Sequence, residues 1–527
     1  MKRRTFLAGS AAALAAPSIA RGQSRRELEL KFIPQSDVTI LDPIWTTAYV
    51  TRNHGYLIFD TLYGMDNAFR MQPQMVAGHV VENDGRLWRL TLRDGLLWHD
   101  GTKVLARDCV ASIQRWGRRD AYGQTLMAYT DELSAADDKT IVFRLNKPFS
   151  LLPDALGHPG SAMCAMMPER LAKTDPFTQI TEMVGSGPFR WNAAERVVGS
   201  RAVYERNPAY KPREGGTPQW TAGPKVVNFD RVVWNVIPDL STKAAAMESG
   251  EMDWWEDPTG DMLPLLRAQD GLAVEIADPT GLMCCLRMNQ LHPPFDNPAI
   301  RRALLGAVNQ KDIVVAIAGD DPTLTHVPTG VFAPGTPMAT DAGLDVFRGK
   351  RDDGAVKRAI EQAGYKGEKL AFMAPTDFAL LKAEADVSAD FLKRAGLNVE
   401  YQAMDWGTLV QRRTKQESPE AGGWSAFATN WAGLDQSNPV GHAFLRGNGK
   451  QALFGWPIAP KIEALRQQWI DAPDLQARKT LAESIQLQAL QDVPYVPLGQ
   501  YFQATSYKKE ITGVLKGFVM FWNVRRT

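Results

Sequence analysis

The sequence lacks an excess of charge of either sign. Its 527 residues include 60 Lys and Arg against 59 Asp and Glu, which gives a formal net charge of +1 at pH 7. No sustained basic run follows residue 26. Proteins that bind nucleic acid usually carry a clustered basic patch, because neutralising phosphates supplies much of their affinity. The composition therefore argues against a nucleic-acid partner and describes an ordinary soluble globular chain.

A long hydrophobic run is also missing. The longest apolar stretch, at 6–16, spans about 11 residues, whereas a membrane-spanning helix needs about 20. Basic residues at 2–4 precede it and small residues at 17–20 close it, which is the three-part pattern of an export signal. We therefore expect residues 1–20 to be a cleaved signal peptide and the mature protein to be soluble and periplasmic. The segment RRTFL at 3–7 resembles a twin-arginine signal, with an ordinary Sec signal as the alternative.

Cysteine is scarce, with Cys109, Cys164, Cys284 and Cys285 in the whole chain. None stands beside the predicted cleavage site, so we do not expect a lipoprotein. In an oxidising compartment a disulfide between Cys109 and Cys164 is one alternative, whereas adjacent cysteines rarely bridge without strain. Buried free thiols are the favoured interpretation.

Motifs of catalysis and metal binding are absent as well. The chain contains no phosphate loop, no G-x-S-x-G, no H-E-x-x-H and no C-x-x-C, and none of its seven histidines stands three or four residues from another. We therefore predict no catalytic residue, no metal site and no cofactor. The acidic residues at 253, 256, 257 and 261 lack the spacing of a calcium-binding loop, and we interpret them as a solvated face or a helix N-terminus.

Periodicity predicts a mixture of strands and helices. Apolar residues alternate around 90–92 and 141–145, and a continuous apolar run at 232–237 precedes a proline, so each of these segments is predicted to be a strand. Apolar residues at helical spacing predict helices around 462–469 and 481–489, the second capped by Asp474. Helices and strands also alternate between 350 and 410, which indicates an α/β fold.

Short motifs along the whole chain resemble family 5 of the extracellular solute-binding proteins of ABC transporters, which includes dipeptide- and oligopeptide-binding proteins. In chain order they are LDP at 41–43, FDTL at 59–62, LRDG at 92–95, WHDGT at 98–102, GSGPF at 185–189, RNPAY at 206–210, IPD at 237–239 and PFDN at 294–297. The resemblance covers roughly residues 28 to 505.

The resemblance implies a hinged, two-lobed α/β clamp of class II type with an additional third domain. The implied division is lobe I at 24–57, 183–280 and 495–527, domain II at 58–182, and lobe III at 281–494. It also implies a monomer that closes over a peptide or small-molecule ligand. The membrane permease subunits of an ABC transporter then recognise the closed form.

The same resemblance implies a ligand site in the segment that contains Asn430, Trp431, Leu434 and Asp435. Peptide-binding members hold the ligand's amino terminus with the carboxylate of a Trp-x-x-Asp element. Here Trp431 is present, Leu434 stands at the anchoring position and Asp435 follows one residue later. Asp435 fits the role if the loop shifts its register, because adjacent residues of an extended segment point to opposite sides.

A second region of the predicted site contains Thr376 and Asp377, where dipeptide binders carry an arginine for the ligand's carboxylate and this chain has none. Trp424 lies in a glycine-rich stretch and is predicted to face the ligand. Carboxylates without a matching arginine favour a ligand with positive charge or hydroxyl groups. The leading hypothesis is therefore peptide or peptide-like uptake, with an opine, oligosaccharide, cationic solute or metal chelate as the alternative ligand and an exported hydrolase as a remote one.

Overall fold

The computed structural model describes residues 28–160 and 162–527, so the predicted signal peptide lies outside the described residues. The strands are β1 (Glu29–Ile33), β2 (Tyr63–Met65), β3 (Met71–Pro73), β4 (Val76–Glu82), β5 (Leu87–Leu92), β6 (Thr130–Ala135), β7 (Thr140–Leu145), β8 (Phe189–Trp191), β9 (Arg201–Arg206), β10 (Arg231–Asn235), β11 (Trp254–Trp255), β12 (Leu272–Glu275), β13 (Leu282–Met288), β14 (Thr325–His326), β15 (Lys369–Pro375), β16 (Asn398–Met404), β17 (Ala426–Ala432), β18 (Val496–Tyr501), β19 (Thr505–Lys508), β20 (Ile511–Thr512) and β21 (Arg525–Arg526).

The α-helices are α1 (Tyr49–Ile58), α2 (Ala106–Trp116), α3 (Ala121–Ala128), α4 (Leu152–Gly157), α5 (Glu169–Ala172), α6 (Leu240–Glu248), α7 (Leu263–Arg267), α8 (Pro298–Leu305), α9 (Gln310–Ala318), α10 (Asp345–Arg348), α11 (Asp353–Gln362), α12 (Ala379–Arg394), α13 (Trp406–Arg412), α14 (Pro460–Asp471) and α15 (Leu475–Asp492). Short 3₁₀ turns include Gly433–Gln436 after β17 and Ala443–Leu445. None of the described helices is both long and apolar enough to cross a membrane.

Lobe I is built on a seven-stranded sheet in the order β12-β19-β11-β1-β10-β9-β8. Central strand β1 runs parallel to β10 and β11, and the outer strands are antiparallel. β10 buries Val232, Val233 and Trp234 and confirms the strand predicted at 232–237, although it ends two residues earlier. Helix α6 follows this strand, and the side chain of Asp239 caps its N-terminus by accepting a hydrogen bond from the N–H of Thr242 at 2.7 Å.

Lobe III is built on a six-stranded sheet in the order β14-β18-β13-β17-β15-β16. The predicted alternation between 350 and 410 is confirmed as α11, β15, α12 and β16. One predicted boundary is wrong. β18, placed in lobe I by the sequence, pairs antiparallel with β13 and β14, so the chain returns to lobe I between Tyr501 and Thr505 and not at 495.

Between the first two strands of lobe I, the segment predicted as domain II contains a four-stranded antiparallel sheet in the order β4-β5-β7-β6. Leu90 and Leu92 in β5 and Ile141, Phe143 and Leu145 in β7 are buried, as their alternation predicted. Helices α2 and α3 belong to the same segment, and the turn between them reaches lobe III.

The C-terminal helices and the aromatic core also follow the sequence pattern. α14 and α15 confirm the two predicted helices, and the side chain of Asp474 accepts a hydrogen bond from the N–H of Ala477 at 2.8 Å. Eleven of the 15 tryptophans are buried, which leaves few that can contact a ligand. The four cysteines are buried free thiols.

Glu384 in α12 places a carboxyl group in the core of lobe III and makes stability depend on pH. Its side chain is fully buried, Oε1 accepts a hydrogen bond from the N–H of Cys285 at 3.1 Å, and Oε2 has no hydrogen-bond partner among the described residues. Burial raises the pKa of Glu384 to about 8, against about 4.3 in an unfolded chain.

Between about pH 4 and pH 8 the folded protein therefore holds a proton on Glu384 that the unfolded chain has already released. The free energy of unfolding falls as the pH rises through that range. The difference in free energy of unfolding between Glu384→Gln and the wild type is expected to favour the variant more at pH 8 than at pH 5. This difference changes by at most about 1.4 kcal/mol for each pH unit. Urea unfolding of both proteins at the two pH values measures this difference. If the variant and the wild type differ by the same free energy of unfolding at pH 5 and at pH 8, this prediction is contradicted.

Candidate functional site

Tyr49 joins lobe I to lobe III. It is the first residue of α1, and its hydroxyl accepts a hydrogen bond from the N–H of Ala432 at 2.6 Å and donates one to Oδ2 of Asp435 at 3.1 Å. Ala432 ends β17, and Asp435 lies in the 3₁₀ turn that follows. Burial, and secondarily the negative charge of Asp435, raises the pKa of Tyr49 well above its ordinary value. The phenol therefore keeps the proton that it donates.

A cavity of about 250 Å³, called here the large cavity, lies beside this contact between domain II and lobe III. One wall comes from the α2–α3 turn and neighbouring segments, and the other comes from the chain between β17 and α14. The lining residues are Thr47, Arg119, Asp120, Ala121, Gln124, His158 and Ala162 on the first wall and Trp431, Asp435, Gly441, Ala443, Arg446, Gln451, Ala452, Leu453 and Phe454 on the second.

Two carboxylates belong to the large cavity. Asp435 is only 5% exposed, and its Oδ1 lies 3.8 Å from Nε2 of His158 in domain II. Asp120 caps α3 by accepting hydrogen bonds from the N–H groups of Tyr122 and Gly123 at 2.8 and 3.0 Å, and burial raises its pKa. A cationic group that enters this cavity meets negative charge from both walls.

Two arginines also line the large cavity. Arg119 donates a hydrogen bond to the carbonyl of Trp45 at 2.6 Å, and Arg446 makes a longer contact of 3.4 Å with Oε1 of Gln124. Within residues 28–160 and 162–527, neither guanidinium has a carboxylate within 4.0 Å. The cavity therefore carries both signs of charge, and the expectation of carboxylates without an arginine is wrong for this site.

A smaller cavity of about 80 Å³ lies on the other side of the Tyr49 contact, between lobe I and lobe III. Arg52, Glu256 and Asp278 line it on the lobe I side, together with Phe518 from the C-terminal segment. Gly281, Leu282 and Ala432 line it from lobe III. We call it the small cavity.

The acidic cluster at 253–261 is only partly the solvated face or helix N-terminus that was predicted, because Asp261 is exposed in the turn before α7 whereas Asp253 is buried. Asp253 is 3% exposed and pairs with Lys508 at 2.7 Å and Arg526 at 2.8 Å, both of which come from the C-terminal segment. Glu256 lines the small cavity, and burial together with the neighbouring charge of Asp257 raises its pKa. The expectation is wrong for Asp253 and Glu256, because their partners lie more than 200 residues away in the sequence.

The structure brings two of the predicted site residues together. Trp431 and Asp435 both line the large cavity, and the ring of Trp431 packs against Phe444 with centroids 4.9 Å apart. Asn430, one residue earlier, points its amide to the hydroxyl of Tyr501 at 2.9 Å and does not line the cavity. Leu434 is fully buried in the hydrophobic core and contacts protein, not the cavity.

The other three predicted residues lie away from both cavities. Trp424 is fully buried, packs on Phe427 and Trp456, and donates its Nε1–H to the carbonyl of Arg413. Thr376 and Asp377 are exposed at the end of β15, where Asp377 accepts a hydrogen bond from the N–H of Trp406 at 2.7 Å. The placement of Trp424 corrects its prediction, because glycine-rich composition does not distinguish a loop that faces a cavity from one that packs into the core.

Sequence reasoning missed Tyr49, Arg52, Arg119 and Arg446. Arg52 and Arg119 lie more than 300 residues before the motif that contains Trp431, and no spacing rule connects Arg446, which follows that motif, to the site. The pair Tyr49–Asp435 is 386 residues apart and is brought together by the crossing of the chain between the lobes.

Comparison with known proteins identifies several similar chains. The model of the bacterial extracellular solute-binding proteins, family 5 Middle, matches residues 70–451. The "Probable peptide ABC transporter periplasmic-binding protein y4tO" of Sinorhizobium fredii is 36% identical over 100% of this chain and 99% of its own. The "Glutathione-binding protein GsiB" of Pectobacterium atrosepticum is 24% identical over 91% of this chain and 90% of its own.

Among solved structures, the binding protein AgaA of A. tumefacien R10, in complex with agropinic acid, superposes with a TM-score of 0.79. It is 19% identical and the match covers 95% of this chain and 99% of AgaA. At this identity the likeness concerns the fold alone, and it confirms the predicted two-lobed α/β fold.

Proposed function

Because the chain belongs to the family 5 bacterial extracellular solute-binding proteins, we propose that it is the periplasmic substrate-binding component of an ABC importer and captures peptides or peptide-like solutes between its lobes. The observation that carries this proposal is the large cavity, which is lined from both sides and contains opposite charges. The names of the two sequence relatives, one a peptide-binding protein and one a glutathione-binding protein, support a peptide ligand.

The ligand's amino group is placed at Asp435 in this proposal. The carboxylate of Asp435 lies in the large cavity and is oriented by the hydroxyl of Tyr49. The half-buried ring of Trp431 offers a flat surface beside it for the ligand's backbone or side chain. Arg119 and Arg446 add positive charge to the walls of the same cavity, which favours a ligand that also carries negative or hydrogen-bond-accepting groups.

Capture works by a shift of population between an open and a closed state. A ligand in the large cavity touches domain II and lobe III at the same time, so it stabilises the closed state by contacts that the open state does not offer. Permease subunits of the transporter then recognise the closed form and accept the ligand. No bond of the ligand is made or broken, and the protein acts as a monomer after export through its twin-arginine-like signal.

A thermal-shift screen of the protein without its first 20 residues tests the proposal. The panel contains alanine peptides of two to five residues, glutathione, agropinic acid, polyamines and oligosaccharides. A ligand at a hundredfold excess over its Kd stabilises the protein by about 2.7 kcal/mol, so specific binding is visible. We expect peptides to raise the melting temperature. If the opine or a sugar does so and no peptide does, the peptide assignment fails.

A further inference from the structure

Arg52 is a buried cation that forms no close ion pair among the described residues, although its charge acts on the nearby carboxyl groups of Glu256 and Asp278. Its residue is 5% exposed, and no carboxylate of the described residues lies within 4.0 Å of its guanidinium. Its hydrogen bonds within this part of the chain are two contacts of 3.4 Å, from Nε and Nη2 to Oδ1 of the adjacent Asn53. A buried guanidinium normally has a carboxylate or several close acceptors, because removing its charge from water costs several kcal/mol.

Two aromatic rings hold this guanidinium in place. Its carbon lies 3.9 Å from the ring centroid of Phe518 and 4.7 Å from that of Tyr49. Such contacts stabilise a cation and restrict its movement without neutralising its charge. The charge therefore remains available to an anion in the small cavity, which Arg52, Tyr49 and Phe518 all line.

The two carboxyl groups that line the small cavity already accept hydrogen bonds from uncharged donors. Glu256 accepts hydrogen bonds from Nδ2 of Asn53 and from the N–H of Gln35, both at 2.7 Å. Oδ1 of Asp278 accepts from the N–H and the hydroxyl of Thr280 at 2.8 and 2.6 Å. Burial raises the pKa of each and the charge of Arg52 lowers it, so both acids act on Arg52 from a distance without forming a close ion pair with it.

We propose that Arg52 binds a carboxylate group of the transported ligand in the small cavity. The volume of about 80 Å³ has room for several water molecules and thus for a carboxylate with its adjoining carbon. The small cavity has walls from both lobes, so a carboxylate there stabilises the closed state as well. This inference rests on the proposed function, since it concerns the same ligand.

The proposal defines the ligand class more narrowly. Tyr49 contacts Asp435 with its hydroxyl at 3.1 Å and the Arg52 guanidinium with its ring at 4.7 Å, so one tyrosine side chain lies between the negative and the positive group. A ligand that contacts both Asp435 and Arg52 carries an amine and a carboxylate far enough apart to reach past the ring of Tyr49. Amines without a carboxylate and uncharged sugars do not meet this requirement.

The test compares alanine peptides of two to five residues with their C-terminal amides by calorimetry. Charge-assisted hydrogen bonds contribute about 1.5–3 kcal/mol, so the wild type is expected to bind the acid about 10- to 100-fold more tightly than the amide. Arg52→Gln is expected to lose that preference, and Arg52→Lys to keep part of it. Arg478→Gln is the matched control, because Arg478 also lies over an aromatic ring, Trp469, but lines neither cavity.

A second probe, sodium acetate, separates failure of this inference from failure of the proposed function. At 0.1 M, acetate is expected to raise the melting temperature of the wild type above that in equal chloride, and to have no such effect on Arg52→Gln. If no peptide binds but acetate acts through Arg52, the anion site stands and the peptide function fails. If peptides bind with equal affinity as acids and amides, the function stands and the inference is overturned. If neither peptides nor acetate act on the wild type, both are overturned.

Discussion

Asp435→Asn is expected to weaken the binding of peptides with a free amino terminus by about 30- to 4,000-fold. Truncating one partner of a buried charge pair costs about 2–5 kcal/mol, and each 1.4 kcal/mol is a factor of ten in Kd. The substitution preserves the side chain's shape and an oxygen that can accept from Tyr49, so the loss reports the charge. Asp435 is 5% exposed, and water screens its charge weakly.

Calorimetry with the tightest-binding alanine peptide and its N-acetylated form measures this effect. Wild type should discriminate strongly against the acetylated peptide, and Asp435→Asn should bind the two forms with similar affinity. Asp377→Asn is the matched control, since Asp377 is an exposed carboxylate outside both cavities and its loss should leave affinity unchanged. Unchanged affinity in Asp435→Asn would remove this residue from the site.

The register of the Trp431 loop shows what a sequence pattern cannot decide alone. In an extended segment, Leu434 and Asp435 would point to opposite sides, and either could have faced the ligand. The structure folds this stretch into a 3₁₀ turn, Gly433–Gln436, directly after β17. In such a turn successive side chains are about 120° apart. Leu434 therefore enters the core while Asp435 lines the cavity beside Trp431.

Helices and strands that depend on their own local sequence could be predicted. Contacts between residues that only the folded topology brings together could not. α15 follows from its own apolar spacing and the cap at Asp474, and β10 from its own apolar run. Arg52 and Phe518, by contrast, are neighbours only because the chain returns to lobe I after β18. Their contact depends on the packing of segments more than 450 residues apart, for which one sequence carries no periodic signal.

The motif LDP at 41–43 could be recognised from its letters, but its physical role appears only in the structure. Asp42 accepts two hydrogen bonds from Arg115 of α2, at 3.2 and 2.7 Å, and two more from the N–H groups of Ile44 and Ile180. Arg115 also donates to the carbonyls of Thr174 and Thr178. This fully buried pair connects the lobe I segment to two segments of domain II, α2 and residues 174–180.

Arg115→Met is expected to lower the free energy of unfolding by about 3–5 kcal/mol, because it leaves the Asp42 carboxylate buried without its cation. The side chains of the pair are 1% and 0% exposed, so water cannot replace the lost partner. Lys382→Met, which removes an exposed helical ion pair with Asp386, is the control and should cost less than about 0.5 kcal/mol. Urea unfolding followed by tryptophan fluorescence measures both.

The double variant Asp42→Leu/Arg115→Met separates the cost of an unpaired charge from the cost of lost packing. With both charges removed, the penalty for burying a lone carboxylate disappears, so the double variant should be less destabilised than the sum of the two single variants. A double variant whose loss equals that sum would show that the two charges act independently. The pair would then contribute through its backbone hydrogen bonds, and the tie between lobe I and domain II would not depend on the ion pair.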